Sequence, residues 1–375
     1  MSASLTLPRT TDVFVAGGGP AGLAMAIAAR QRGLRVIVAD GAQPPIDKAC
    51  GEGLMPDGLA ALGRLGIHIP PAEAFEFRGI RFVGDTLSAD ALFPDQGRGI
   101  AVRRTTLHQI MIERAAQMGA ELLWRAAVTG ISPEGVHLGN SIVRARWIIG
   151  ADGSNSQVRR WARLDRCSRP SLRYAFRRHY RVAPWSDQME VYWGDHCQGY
   201  SIAVSGGQIC VALASRNPNL RMEGGLRELP RLAARLNGAE AVTSERGAIT
   251  GNRRLKRVWR NNLALIGDAS GTVDAIAGEG LNLAFSQALS LAACLESGDL
   301  EPYQAEHDRL NSRPLLMARL MLTMDRRPWL QNRTLQVFRK HPEVFRRLLA
   351  LHVGALPPRQ LVRDGLTLGW GLLTA

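Results

Sequence analysis

The chain has 375 residues, 46% of them hydrophobic, enough to bury a sizeable core and to form two closely packed lobes. Net charge is +14 and the pI is near 10.6, yet the arginines are dispersed and no aromatic-interleaved nucleic-acid module is legible, so no nucleic-acid partner is expected. The five cysteines, Cys50, Cys167, Cys197, Cys210 and Cys294, form no CxxC pair, which speaks against a zinc framework or a disulfide scaffold.

Met1 to Asp12 carries neither a basic start nor an apolar core. No signal peptide is read there, and a cytoplasmic protein with reduced thiols is expected. No run of about 18 apolar residues follows, which argues against a membrane span. Residues 13 to 40 then read as strand, glycine turn, alanine-rich helix and second strand, closed by an acid. Gly17 permits the tight turn, Gly19 lets the backbone approach a pyrophosphate, Gly22 lets the helix pack close, and Asp40 stands where a carboxylate accepts from ribose hydroxyls. NAD, NADP and FAD all use this turn, so it leaves the dinucleotide open.

Further along, Phe75 to Val83 has strand character, and Arg104, three residues before Leu107, lies on an expected helix. Trp147 to Arg159 is an apolar strand running into Asp152-Gly153. Leu172 to Arg216 reads as an antiparallel meander, in which Gly206-Gly207 joins Tyr200–Val204 to Ile209–Ala214. Leu263 to Val273 is a third apolar strand ending in Gly267-Asp268, and Gly278-Glu279-Gly280-Leu281-Asn282 leads into a long helix. The cofactor lobe is therefore discontinuous, comprising residues 1–70, 98–160 and 250–298. Residues 71–97 and 161–249 form a substrate lobe, and 299–375 a C-terminal helical segment. Those helices alternate apolar and arginine positions; they are expected to brace the lobes, with peripheral membrane contact as the alternative. The basic charge suits anionic cofactors or anionic lipid, or reflects an arginine-rich proteome.

The glycine turn, Trp147–Arg159 and Leu263–Val273, in this order, resemble the large flavoprotein family of p-hydroxybenzoate hydroxylase type, the group A monooxygenase-like proteins, which includes geranylgeranyl reductases and flavin halogenases. The resemblance covers the chain to about residue 300. It implies an α/β fold: a Rossmann-like FAD-binding lobe of glutathione-reductase type, an inserted antiparallel substrate sheet, and C-terminal helices. FAD is the implied cofactor and NADPH or NADH the transient reductant. Asp268, after Gly267, matches the acid on the ribityl chain, and Gly278, Gly280, Leu281 and Asn282 match the helix start facing the isoalloxazine ring. Arg104 matches the arginine on the FAD phosphates, while Asp152 and Gly153 match a pair implicated in both FAD and pyridine-nucleotide contacts. For each acid the alternative is a helix cap or turn former.

The hydroxylases carry a histidine and paired prolines in the turn corresponding to Gly271–Ala277, where this chain has Gly271, Asp274 and Ala275. The Gly-Glu-Gly sequence and Asp47-Lys-Ala-Cys-Gly-Glu-Gly-Leu-Met-Pro56 look more like the geranylgeranyl reductase branch, whose loop places a cysteine near the ring. Cys50 is accordingly either a proton donor or a small buried hydrophobe, and Glu279 is the other candidate donor. Trp161, Trp185 and Trp193 do not reproduce the halogenase motif. The leading expectation is an NAD(P)H-dependent monooxygenase that hydroxylates or epoxidises a small hydrophobic aromatic, polyketide or isoprenoid substrate with molecular oxygen, through a flavin C4a-hydroperoxide. The alternative is reduction of isoprenoid double bonds, and a remote one is a non-catalytic binding protein. Tyr192, Trp193 and Tyr200 are pocket candidates; strand alternation admits at most one of the first two. The eight histidines show no metal-ligand spacing, so no metal is assigned and each is read as a surface or satisfied core residue.

Overall fold

In the computed structural model, residues 10–166 and 172–357 are described. The readings on the first residues, on Cys167 and on the end of the tail fall outside them. Strand Thr10–Ala16 lies between parallel neighbours Val36–Asp40 and Ser141–Gly150, and its Val13–Ala16 run is buried on both faces. A strand so placed reads as a continuous apolar run rather than an alternating one. The sheet continues to Glu121–Trp124 on one side and to Leu263–Leu265 and the antiparallel edge Trp259–Arg260 on the other. Helix Pro20–Arg30 packs against helix Gly280–Ser297, with Ala24, Ala26, Ala28 and Ala29 sealed from solvent.

The inserted sheet runs Glu240–Ala241, Arg173–Arg181, Gln208–Ser215, Cys197–Val204, Met189–Trp193, Gly79–Val83, Ser88–Leu92, with Arg246–Thr250 also on Arg173–Arg181. The meander and its Gly206-Gly207 hairpin stand as the sequence predicts, both glycines having positive φ. The segment Phe75 to Val83 is not one strand. It breaks at Arg78: Ala74–Phe77 joins Gly53–Leu54 and Gly99–Val102 in a separate three-stranded sheet, whereas Gly79–Val83 pairs parallel with Met189–Trp193. The inserted sheet is thus not wholly antiparallel. Beyond the break only glycine fits at residue 79, since a Cβ there would sit 2.1 Å from the Ala91 carbonyl oxygen.

Three helices follow, Glu301–Asp325, Pro328–Lys340 and Pro342–His352. Phe338 and Phe345 stack on each other at 4.5 Å, and Phe345 stacks on Phe82 of the inserted sheet at 5.0 Å. Phe82 in turn stacks on Trp193 at 4.7 Å. Such ring pairs contribute roughly 0.5–1.5 kcal/mol each beyond area burial, which ties the tail to the sheet.

Candidate active site

Where the sheets and the C-terminal helices meet lies a cavity of about 890 Å³. That is in the upper part of the roughly 300–1,000 Å³ range of small-molecule sites. At one end stand Gly19, Pro20, Ala21, Lys48, Arg104, Ser154, Asn155 and Asp268. The glycine turn is shaped by two separate demands. A Cβ on Gly17, whose φ is +112, would lie 2.4 Å from the Ala151 carbonyl oxygen, and one on Gly22 would lie 1.8 Å from that of Gly17. Gly19 and Gly280, by contrast, have no atom within 4 Å of that position. The first pair serves packing; the second leaves two helix N-termini open to the cavity, with backbone N–H groups available to an anion.

Asp40 ends its strand with both carboxylate oxygens on backbone N–H groups, of Gly18 at 2.7 Å and of Ala42 at 2.8 Å, and so holds the turn from behind. Asp268 opens into the cavity. Surrounding protein pushes its carboxyl pKa up, while Lys48 and Arg104 pull it down. Gly267 adopts φ +56, and a Cβ there would also crowd Ala21 at 2.7 Å. Asp152 takes the capping alternative: its Oδ2 accepts from the N–H groups of Gln157 at 2.7 Å and Val158 at 3.1 Å. Its neighbours Ala151, Gly153, Ser154 and Asn155 form the wall in its place.

The Cys50 loop forms another side. Cys50 is half-buried in the wall, and the Glu52 N–H donates to its Sγ at 3.4 Å. Glu52 holds a left-handed backbone, φ 63, between two glycines; for a residue with a Cβ this costs roughly 1 kcal/mol or more. Its carboxylate is anchored by the Arg104 N–H at 2.9 Å and by His179 Nε2 at 2.6 Å. Glu52, His179 and Cys210 bring their ligand-type atoms within 4.8 Å of one another. The 2.6 Å contact is a hydrogen bond, shorter than the roughly 3.3 Å between donors on a tetrahedral metal with bonds of about 2.1 Å. Arg177 on His179 Nδ1 and Arg103 beside Glu52 already supply positive charge.

Around the start of helix Gly280–Ser297, Asn282 donates to Asp57 Oδ2 and Glu279 Oε2, both at 2.7 Å. The Asn282 side chain therefore faces these carboxylates, and Glu279 and Leu281 face the cavity. His352, from the last described helix, brings Nε2 to 3.4 Å from Glu279 Oε1. Burial raises the Glu279 pKa. Burial, then the Glu279 charge, pushes Asp57 up to about 6 despite Arg313 and His352; burial takes His352 down to about 4.

The remaining arm is apolar, lined by Phe82, Val191, Met321, Met324, Phe338 and Phe345 among others. Of the aromatic candidates Tyr200 lines it. Tyr192 does not: it faces the other side of its strand, its hydroxyl donating to Glu190 at 2.5 Å. Trp193 shares a core cluster with Met189 and Val191 but lies beyond the cavity, against Phe82. Sequence reasoning missed the tail's part in the wall, because a helix face turned to a ligand has the same apolar spacing as one turned to a core. It passed over Glu52 beside Cys50 in the quoted loop, and His179, 127 residues away.

Fold and glycine-turn cavity together define a dinucleotide-binding protein. Residues 10–300 match the family model described as an FAD binding domain, and the chain belongs to that family. It is 28% identical over 334 residues to the menaquinone reductase of Mycobacterium tuberculosis (strain CDC 1551 / Oshkosh), covering 79% of each chain. It is 27% identical over 301 residues to digeranylgeranylglycerophospholipid reductase 1 of Methanopyrus kandleri, covering 73% of this chain and 77% of that protein. Among solved structures, a flavoprotein/dehydrogenase from Cytophaga hutchinsonii superposes with a TM-score of 0.81 at 20% identity, over 97% of this chain and 98% of that one. The protein is an FAD-dependent oxidoreductase.

Proposed function

We propose that the protein reduces carbon–carbon double bonds in an isoprenoid chain, using NAD(P)H as the source of electrons. The observation that carries this reading is the apolar arm, which runs from the wall bearing Cys50 and Glu279 to a rim where Leu172, Ile249 and Leu320 are 51%, 59% and 39% exposed. An extended hydrocarbon fits such a channel, and its buried area would supply the binding energy. The reductase names of the two curated relatives support the same direction.

The open positions at Gly19 and Gly280 are where FAD fits. The N–H groups after Gly19, with Lys48 and Arg104, would hold its pyrophosphate, Asp268 would accept from ribityl hydroxyls, and the helix start at Gly280 would favour negative charge on the ring. FAD supplies the two-electron chemistry when bound. The chain's own residues orient the hydrocarbon, exclude water from the arm and hold protons at Cys50 Sγ and Glu279. The exposed rim also serves as a contact with a lipid surface, from which such a substrate enters.

Reconstituted with FAD and given NADPH or NADH and a polyisoprenoid quinone or lipid, the enzyme should return product heavier by two hydrogen atoms. Oxygen transfer uses the same cofactor and an equally enclosed cavity; product heavier by one oxygen atom would establish that reaction and end the reductase reading.

A further inference from the structure

Glu52, in the cavity wall with Cys50, is hydrogen-bonded to His179, and the pair has the geometry of a proton route. A left-handed position between Gly51 and Gly53 is one that glycine would occupy without strain. Both flanking glycines are closely packed: a Cβ on Gly51 would meet the Tyr200 ring, with its hydroxyl at 2.4 Å, and one on Gly53 would displace the flexible end of Met189, whose Cε lies 2.4 Å away. A carboxylate is nevertheless kept at Glu52, 2% exposed and in the cavity wall.

The tautomer of His179 follows from its neighbours. Arg177 Nη1, which only donates, lies 3.2 Å from Nδ1, so Nδ1 is the acceptor and Nε2 carries its hydrogen to Glu52 Oε2. On the far side the Thr243 hydroxyl stands 3.1 Å from Nδ1 and is half-buried at the outer face of the inserted sheet. Hydrogen-bonded groups thus connect solvent, Thr243, His179, Glu52 and the cavity wall next to Cys50.

We propose that Glu52 and His179 form a proton-delivery pair that recharges the Cys50 corner of the cavity from the outer face of the inserted sheet. The substrate chemistry rests on the double-bond reduction proposed above; the route rests on geometry alone. When the Cys50 thiol protonates the substrate carbon, the S–H bond breaks, a C–H bond forms, and the S–H electron pair stays on sulfur as thiolate. A proton returns to Sγ through cavity water from the Glu52 carboxyl, which takes the Nε2 proton of His179. As that proton leaves, water delivers one to Nδ1 through the Thr243 hydroxyl, and exchange with solvent restores the Nε2–H tautomer before the next turnover. The pair moves protons only, and the two-electron half of the reduction belongs to the cofactor.

Other charged and titratable groups face this corner. Asp47 and Lys48 share the loop, Asp47 pairing with Arg177. Arg103 stands 3.9 Å from Glu52, Cys210 Sγ lies 3.9 Å from the Cys50 carbonyl oxygen, and Tyr200 closes the wall. A shift in Cys50 behaviour is therefore assigned to the pair only if both of its members produce it.

The test follows alkylation of Cys50 by iodoacetamide against pH, in cofactor-free and FAD-loaded protein, for wild type, His179→Gln and Glu52→Gly. His179→Gln keeps an N–H for Glu52 but carries no proton, and Glu52→Gly relieves the backbone, so the second folds if the first does not. Alkylation should reach completion in every variant, which shows that the Cys50 corner keeps its shape. In His179→Gln, kcat should fall by about 10²-fold with KM and FAD affinity held within about twofold, and its solvent deuterium isotope effect should rise. A kcat and a solvent isotope effect equal to wild type in both variants would overturn the proposal. Oxygenated product, with kcat lowered in both variants, would sink the double-bond reading and leave the route standing.

Discussion

At the scale of single residues, burial decides which groups titrate out of their usual range. His307 is buried beneath the Asp268 segment, its Nε2 2.9 Å from Ser270 Oγ, and burial lowers its pKa from 6.5 to about 4. Above pH 6.5 the ring is neutral folded or unfolded; as pH falls, the unfolded chain takes up a proton that the folded one resists. Stability is therefore lost between the two values, by about 3 kcal/mol for a shift of this size. Asp57 has the opposite sign: raised from 3.8 to about 6, it contributes stability at acid pH that is lost as pH rises through its folded value. His307→Asn should flatten the acid limb of stability measured by urea unfolding at a series of pH values, and a limb parallel to wild type would discharge His307 from that role. The glycines of the turn were legible because their constraint is local. Glu52 and His179 were not, because only the crossing of the Cys50 loop over the inserted sheet brings them together.

Among elements, the C-terminal helices show most clearly what periodicity conveys and what it omits. Alternating leucine and arginine predicts helices after residue 299, and helices Glu301–Asp325, Pro328–Lys340 and Pro342–His352 are there. Their bracing of the sheet through Phe338 and Phe345 was expected of them; their lining of the cavity was not. Met321 reaches both the arm and the core cluster over Ala318 and Leu322. Met321→Trp should narrow the arm and raise KM for a long polyisoprenoid by about tenfold, the worth of roughly 1.4 kcal/mol of lost binding, while a short-chain analogue is turned over as before. Equal effects on both chain lengths would place Met321 outside the substrate path. Strand character over Phe75 to Val83 was legible too, whereas its division between two sheets depends on the distant strands that each half pairs with, Gly99–Val102 and Met189–Trp193.

For the whole molecule, charge and apolar exposure combine. The net charge of +14 accompanies exposed Leu316, Leu320 and Trp329 on the helices beside the cavity rim, and no helix among the described residues is long and apolar enough to cross a membrane. Binding to vesicles containing anionic lipid should be seen by flotation, should weaken as salt shortens the screening length to about 3 Å near 1 M, and should drop further in Leu320→Ser/Trp329→Ser. Vesicles that leave the protein behind at low salt would remove the lipid-surface contact. The sequence by itself determined the glycine turn, the acids at strand ends and the meander, because these depend on residues close in the chain whose sterics and hydrogen bonds act locally; its resemblance to known flavoproteins implied FAD. Only the tertiary structure decided that Asp152 caps a helix, that Tyr192 and Trp193 stand outside the cavity, that the tail forms its wall and that His179 meets Glu52. Each of these depends on which faces of distant segments pack together, and hydrophobic spacing alone does not specify the partner of a face.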